Sequence, residues 1–318
     1  MTTVPSGTRV ERIAALAFDY QAQPRVRVDR CNLCGGSVFV GLTHRDRYGY
    51  PARASGCSRC GLVFLDPVMT REAYADFYMR TYRPLVSAFH GRLIDARTIQ
   101  QEQREYAVER GDLLASYLSG HGYGTLLDIG GSTGVVADAL ARRFGLRATV
   151  IDPAPLETLE AQALGIETIE GLIEDVDLGT RGFDVVVLCQ TVDHLLDVAG
   201  TFRRVGKLLA PGGLLFVDIV DFRAAYLRNA SVEDAVKIDH PYYLTEATMT
   251  AYLERAGFEV ARADYAADHL HVSYVAHPST PRPDALPSSE SVRELWREVR
   301  GLQNAPAPIP DPRSPIPD

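Results

Sequence analysis

Four cysteines set the first chemical constraint. Cys31, Cys34, Cys57 and Cys60 follow the pattern C-x2-C-x22-C-x2-C, and a glycine follows each pair. The glycine permits a tight knuckle that turns two thiolates toward one ion. Four thiolates match tetrahedral Zn²⁺, and such a closed site leaves no open coordination position. Its expected role is therefore structural, with a redox pair as the alternative. Two CxxC pairs plus a fifth cysteine fit metal binding in a reducing compartment better than a disulfide framework. The fifth, Cys189, ends an apolar run and is expected to be buried and inert.

The second constellation is LLDIGGSTG, 126–134, between an apolar run and VVADALARRF. A dinucleotide turn needs G-x-G-x-x-G, and neither register, from Gly130 or from Gly131, supplies the second and third glycines. A P-loop needs a lysine that is absent here. Asp128 precedes the first glycine, where it would repel a pyrophosphate. It suits a ligand with a positive end, an ammonium or a sulfonium.

The elements around these groups read as follows. The chain has 318 residues, 46 % hydrophobic and 23 % charged, ample for a globular core of one large domain and smaller ones. A formal charge of −8 argues against nucleic acid or anionic membrane as the main partner. The chain shows neither an 18-residue apolar run nor the layout of a signal peptide, so the expected location is cytoplasmic. From residue 124 strands and helices alternate: TLLDI, VVADALARRF, RATVID, APLETLEAQALG, IETIE, FDVVVLCQ, VAGTFRRVGKLLAPGG and GLLFVDIV. That rhythm predicts a doubly wound, mostly parallel α/β sheet. Pro211-Gly212-Gly213 reads as the stop of the last helix. An irregular insert follows residue 221, then a helix over TEATMTAYLERAG and an antiparallel pair from FEVARADYA and HLHVSYVAHP.

Before the sheet, Thr70 is a predicted N-cap for a helix from residue 71. A longer helix is predicted over 91–118, packed as a connector or cap. The expected organisation is a terminal segment and zinc ribbon over 1–66, a helical connector over 67–120, the α/β domain over 121–277, and a Pro-rich tail over 278–318. The tail is expected to hold one isolated helix, SVRELWREVR, and a disordered end.

D-x-G-x-S-x-G at Asp128, Gly130, Ser132 and Gly134, an acid after the second strand at Asp152, Phe183-Asp184 and Pro211-Gly212-Gly213 together resemble the class I S-adenosylmethionine-dependent methyltransferases. The resemblance covers roughly 110–276 and implies a Rossmann-like methyltransferase sheet that binds S-adenosylmethionine. It places Asp128, Gly130, Gly131, Ser132 and Gly134 on the cofactor and Asp152 on its ribose. GLIED departs from the frequent G-D-x-E-D, so adenine recognition falls to backbone groups or Glu174, with Leu172 or Ile173 as an apolar wall. Gln190, after the fourth strand, completes the cofactor set. With its N-terminal ribbon, CxxCGLVFLDP and Tyr-rich helix, the chain also resembles the zinc-ribbon deoxysugar C-methyltransferases, without their C-terminal domain.

Methyl transfer to a hydroxyl or carbon needs a base as well as alignment. His240 and His194 are the candidates, with Tyr242 and Tyr243 beside the first; either histidine has the alternative of a purely local role. His269 and His271 read as surface or sheet residues, and Tyr78 and Tyr82 either pack the core or close over the acceptor. The expected acceptor is a small molecule such as a sugar, nucleotide sugar or secondary metabolite. Seven arginines between 25 and 65 face only Asp29 and Asp46, which suits either a solvated face or an anion site for a phosphate on that acceptor. Two other readings stay open: an RNA-modifying methyltransferase gripping the backbone with its ribbon, and a non-catalytic scaffold that binds the cofactor. Oligomeric state is not legible.

Overall fold

A computed structural model describes residues 4–304. The N-terminal part contains α1 (Arg9–Ala14), β1 (Arg25–Val26), β2 (Phe39–Thr43), β3 (Ala54–Cys57), β4 (Val63–Leu65) and β5 (Val68–Met69). A connector follows, made of α2 (Arg71–Arg80), α3 (Tyr82–His90) and α4 (Ala96–Leu118). Then come β6 (Thr125–Ile129), α5 (Val135–Phe144), β7 (Arg147–Asp152), α6 (Pro155–Ala163), β8 (Glu167–Glu170), β9 (Phe183–Cys189), α7 (Val198–Leu208) and β10 (Leu209–Val220). The chain continues through α8 (Phe222–Asn229), β11 (Tyr242–Tyr243), α9 (Glu246–Ala256), β12 (Phe258–Tyr265), β13 (His271–Pro278) and α10 (Ser289–Asn304).

The main sheet has seven strands in the order β12-β13-β10-β9-β6-β7-β8. From β10 to β8 all pairings are parallel; β13 joins β10, and β12 joins β13, antiparallel. The doubly wound α/β expectation and its antiparallel edge are therefore met. Successive connections leave β6 toward one edge and return at β9 toward the other. This is the switch point, where a crevice opens beyond the strand ends. Strands β6 and β9 are buried on both faces, as their unbroken apolar runs require. The connector helix α4 is fastened to this sheet by a buried ion pair, Arg110 Nη2 to Asp218 Oδ2 at 2.7 Å, and by the Tyr106 hydroxyl donating to the same carboxylate.

Thr70 caps α2 as expected, its hydroxyl accepting the Ala73 N–H. The helix expected over 91–118 begins five residues late. Gly91 adopts φ 71° and closes α3, an element the sequence reading did not separate, and Asp95 then caps α4 by accepting from Thr98 N–H. Pro211-Gly212-Gly213 is not a helix stop: α7 ends at Leu208 and the tripeptide lies inside β10 at a register shift. A Cβ on Gly213 would sit 2.9 Å from the carbonyl oxygens of Ala210 and Asp184, so close backbone approach explains that glycine. The insert after 221 is not wholly irregular either, since Asp221 caps α8. The tail helix is present but not isolated: its Leu295 and Val299 join the apolar core of the N-terminal part. The expected disordered end falls on residues outside those described. Among the described residues no helix is long and apolar enough to cross a membrane.

Candidate active site

At the carboxyl ends of β6, β7 and β9 lies a cavity of about 440 Å³. One end is built by the glycine turn. Gly130 and Gly134 take φ 71° and 75°, and Ser132 joins them in the left-handed region at 50°. A Cβ on Gly130 would run into Thr191, and one on Gly131 would lie 2.7 Å from the Asp128 carboxylate. The turn thus approaches its neighbours as only glycine can. Asp152 anchors it from β7, accepting the N–H groups of Ser132 and Ala154 at 2.9 Å each.

Beneath the turn, Asp128 is 1 % exposed, and neither of its carboxylate oxygens has a hydrogen-bond partner. The hydroxyls of Ser132 and Thr133 are also buried without partners. Burial, then the charge of Asp152, pushes Asp128 up to about 7. Burial and then Glu157 push Asp152 up to about 7 against its two backbone hydrogen bonds. A buried, unanswered acceptor set of this kind fits a ligand with hydroxyls and a positive end.

The other end is built by three segments far apart in sequence. The turn after β9 brings Asp193 and His194. The loop 236–241 brings Lys237, Asp239 and His240, and the connector brings Tyr78 and Tyr82. His240 Nδ1 lies 2.9 Å from Asp193 Oδ2, and its Nε2 lies 3.3 Å from Asp239 Oδ2. The His194 ring sits 4.4 Å from that of His240. Burial, then the His240 charge, lowers His194 to about 4, so it is neutral at physiological pH. Tyr78 donates its hydroxyl proton to Asp239 O at 2.7 Å and sits 3.0 Å from His194 Nδ1. That assigns the proton of His194 to Nδ1 and leaves Nε2 as an acceptor. Asp193 is held well below the ordinary carboxylate range: burial opposes ionisation, but the attraction and hydrogen bond of His240 outweigh it.

The loop carrying His240 is held from every side. Tyr74 on α2 donates to Ile238 O at 3.1 Å, and Tyr243 donates to Lys237 O at 2.6 Å. From the N-terminal part, Asp46 Oδ2 accepts Ile238 N–H at 3.0 Å, and Arg47 N–H donates to Val236 O at 2.9 Å. Tyr242 and Tyr243 themselves form β11, which pairs with β4. The small sheet, in the order β11-β4-β3-β2, is thus completed by residues some 180 positions later in the chain.

Residues 94–263 match a family model described as "Methyltransferase domain". The chain belongs to this methyltransferase family. It is 39 % identical over 97 residues to the ubiquinone biosynthesis O-methyltransferase of Methylocella silvestris, covering 29 % of this chain and 38 % of that protein. It is 31 % identical over 154 residues to the protein of the same name from Methylobacterium nodulans, covering 43 % and 60 %. The chain therefore spans between 38 % and 60 % of the length of these curated relatives. An O-methyltransferase family protein from Burkholderia thailandensis aligns with TM-score 0.48 and 17 % identity over 65 % of this chain and 64 % of that one.

Of the cofactor residues expected for such a methyltransferase, Gly130, Ser132, Asp152, Leu172, Ile173 and Gln190 line the cavity. Asp128, Gly131 and Gly134 form the layer beneath: Gly134 packs against Ala161 and Ile166. Glu174 spends an oxygen on Leu196 and Asp197 N–H. His240 and His194 line the opposite end together, whereas Tyr242 and Tyr243 do not line the main cavity. The Tyr242 hydroxyl donates to Leu196 O. Cys189 is half-buried and lines the cavity, so the expectation of full burial needs correction; burial, then Asp128, still holds its thiol protonated.

Cys31, Cys34, Cys57 and Cys60 converge with all sulfurs within 4.8 Å of one another. Sγ pairs at 3.5 Å compare with the roughly 3.8 Å edge of a tetrahedron whose Zn–S bonds are about 2.3 Å. Asn32, between the first two cysteines, accepts from Ala199 N–H and Tyr252 and donates to Asp197, tying the knuckle to α7. The arginines nearby do not share one face. Arg27 and Arg53 pair with Asp66, while Arg30 and Arg59 bond the carbonyls of Gly35 and Cys34.

Asp193, Asp239 and Asp46 were not among the residues expected from sequence. The first two had a signal, the dipeptide Asp-His at 193–194 and again at 239–240. Asp46 had none.

Proposed function

We propose that this chain transfers a methyl group to a hydroxyl of a small-molecule acceptor, with His240 as general base. The observation that carries the reading is the Asp193–His240 contact at 2.9 Å, facing the glycine turn across one cavity. When bound, S-adenosylmethionine supplies a methyl group on a sulfonium, which is already a good leaving group. The protein's task is then alignment, exclusion of water and acceptance of one proton.

Asp128, Asp152 and the turn 130–134 would hold the cofactor, with Leu172 and Ile173 as apolar wall. Asp193 fixes the imidazole through Nδ1, so a hydroxyl proton would pass to Nε2 once the acceptor hydroxyl takes the place of Asp239 Oδ2 beside it. The flanking carboxylates of Asp193 and Asp239 then stabilise the imidazolium. Tyr48, Tyr78 and Tyr82 give the acceptor end an aromatic lining, and the relatives' names support O-methylation. The four cysteines would hold one Zn²⁺ as a structural ion, and the location is proposed as cytoplasmic.

The test is S-adenosylhomocysteine release from purified protein offered a panel of phenolic and sugar hydroxyls, with and without His240→Ala. Turnover lost with S-adenosylmethionine binding retained supports the reading. Failure of the wild-type protein to bind S-adenosylmethionine, or undiminished turnover in the variant, overturns it; S-adenosylmethionine binding with no turnover of any acceptor by the wild type favours the non-catalytic scaffold.

A further inference from the structure

The wall of the cavity nearest the N-terminal part carries a guanidinium with two unmet hydrogen-bond donors. Arg47 sits in the loop between β2 and β3, lines the cavity, and has Nε and Nη2 buried without a hydrogen-bond partner. Its guanidinium lies 4.1 Å from the centroid of Phe89, and that of Arg9 lies 4.2 Å from the same ring. The two cations repel: burial, and then Arg47, lowers Arg9. Buried donors of a cation are costly unless an acceptor meets them.

No carboxylate meets these donors, although Asp193 and Asp234 line a smaller cavity with Arg47 and Asp193 Oδ1 is itself unpartnered. Asp46, next in sequence, spends Oδ1 on the N–H groups of Tyr48 and Tyr50 and Oδ2 on that of Ile238. Asp193 and Asp239 face His240. Nor is the loop loose: Arg47 N–H donates to Val236 O, and the Asp46 carboxylate accepts Ile238 N–H, in the segment that carries His240. Lys237 of that segment lines the same wall. A guanidinium set rigidly beside a base, with two unmet donors, is a recognition device for an oxyanion.

We propose that Arg47 reads an oxyanion on the acceptor, a carboxylate or a phosphate, and so places the acceptor's hydroxyl at His240. The acceptor is then a hydroxylated aromatic acid or a phosphate ester. This rests on the reading of His240 as base, and it makes Arg47 a specificity residue.

The experiment uses the full chain with its metal, saturated with S-adenosylhomocysteine, and measures the affinity of benzoate, phenyl phosphate and neutral benzyl alcohol. One of the anions is expected to bind roughly tenfold or more tighter than the alcohol. A preference for benzoate identifies an organic acid, and one for phenyl phosphate a phosphate ester. Arg47→Gln should abolish the preference, and Arg47→Lys should keep part of it. Equal binding of anion and alcohol by the wild type, no binding of either anion at millimolar concentration, or a preference that survives Arg47→Gln overturns the proposal. Loss of the base reading shows separately, as methyl transfer that persists in His240→Asn while the wild type keeps its anion preference.

Discussion

His240 Nδ1 and Asp193 Oδ2 are 2.9 Å apart, although they lie 47 positions apart in the chain and arrive on different elements. Asp193 comes from the turn after β9, part of the main sheet. His240 comes from a loop pinned to the N-terminal part by Asp46 and to the connector by Tyr74. The pair therefore forms only when the small sheet, the connector and the main sheet are all in place.

Asp193→Asn should lower kcat by about 10²–10⁴-fold, because an amide holds the imidazole less well and does not stabilise the charge it acquires. Steady-state kinetics beside equilibrium binding of S-adenosylmethionine would check this. Binding should change little, since Asp193 contacts the acceptor end. A loss shared equally by binding and turnover would mean that Asp193 holds the fold and not the base.

Asp128→Asn separates a buried charge from a buried shape. Burial raises the Asp128 carboxyl to about 7, so the folded apoprotein keeps a proton that the unfolded chain gives up at ordinary carboxylate pH. The stability this contributes is complete at low pH and is lost as pH rises through about 7. The variant should melt with the wild type only below about pH 4, pull ahead of it as pH rises from about 4 to 7, and melt a few degrees above it at pH 8. The difference between the two proteins cancels the opposite trend of His194, whose lowered value adds stability as pH rises from about 4. S-adenosylmethionine should bind the variant at least tenfold more weakly. A melting difference that stays constant with pH would exclude an ionisable Asp128.

Much of the fold was legible because it is local. Apolar runs bounded by Gly165 or capped by Thr70 encode their own element, and the order of Asp128, Asp152 and Asp184 exposes the family. What was not legible depends on pairing across the chain. A two-residue strand, Tyr242–Tyr243, has no periodicity to detect; it exists because β4 offers an edge. Pro211-Gly212-Gly213 looks like a helix stop locally, yet it serves a crowded point in β10. Arg47 was one of seven similar arginines in sequence, and only the fold separates it from Arg27 and Arg53, which Asp66 neutralises.

Cys57→Ser should lower zinc content well below one ion per chain and destabilise the small sheet, since four thiolates close the site. The effect should reach the acceptor end, because β11 hangs on β4 and leads back into the His240 loop. Turnover should therefore fall more than affinity for S-adenosylmethionine, whose expected contacts lie on β6 and β7. Metal analysis, calorimetry and kinetics on one preparation would decide it. A fully zinc-loaded variant, or unchanged turnover after metal loss, would contradict the assignment.

Trp296 on α10 and Gly56 on β3 form the contact by which the tail helix closes over the small sheet. A Cβ on Gly56 would run into the indole ring. Gly56→Ala should thus cost about 1–3 kcal/mol, as overpacking does. Trp296→Ala should also destabilise, by less than the about 3–5 kcal/mol of a fully buried tryptophan, because the ring is only half-buried. The two losses should not add. Without the indole the alanine methyl has room, so the double variant should be no less stable than Trp296→Ala alone, a coupling of about 0.5–3 kcal/mol. Urea unfolding of the four proteins gives that number directly. Additive losses would mean that α10 does not pack on β3, and with that the sheet carrying β11 would lose its outer support.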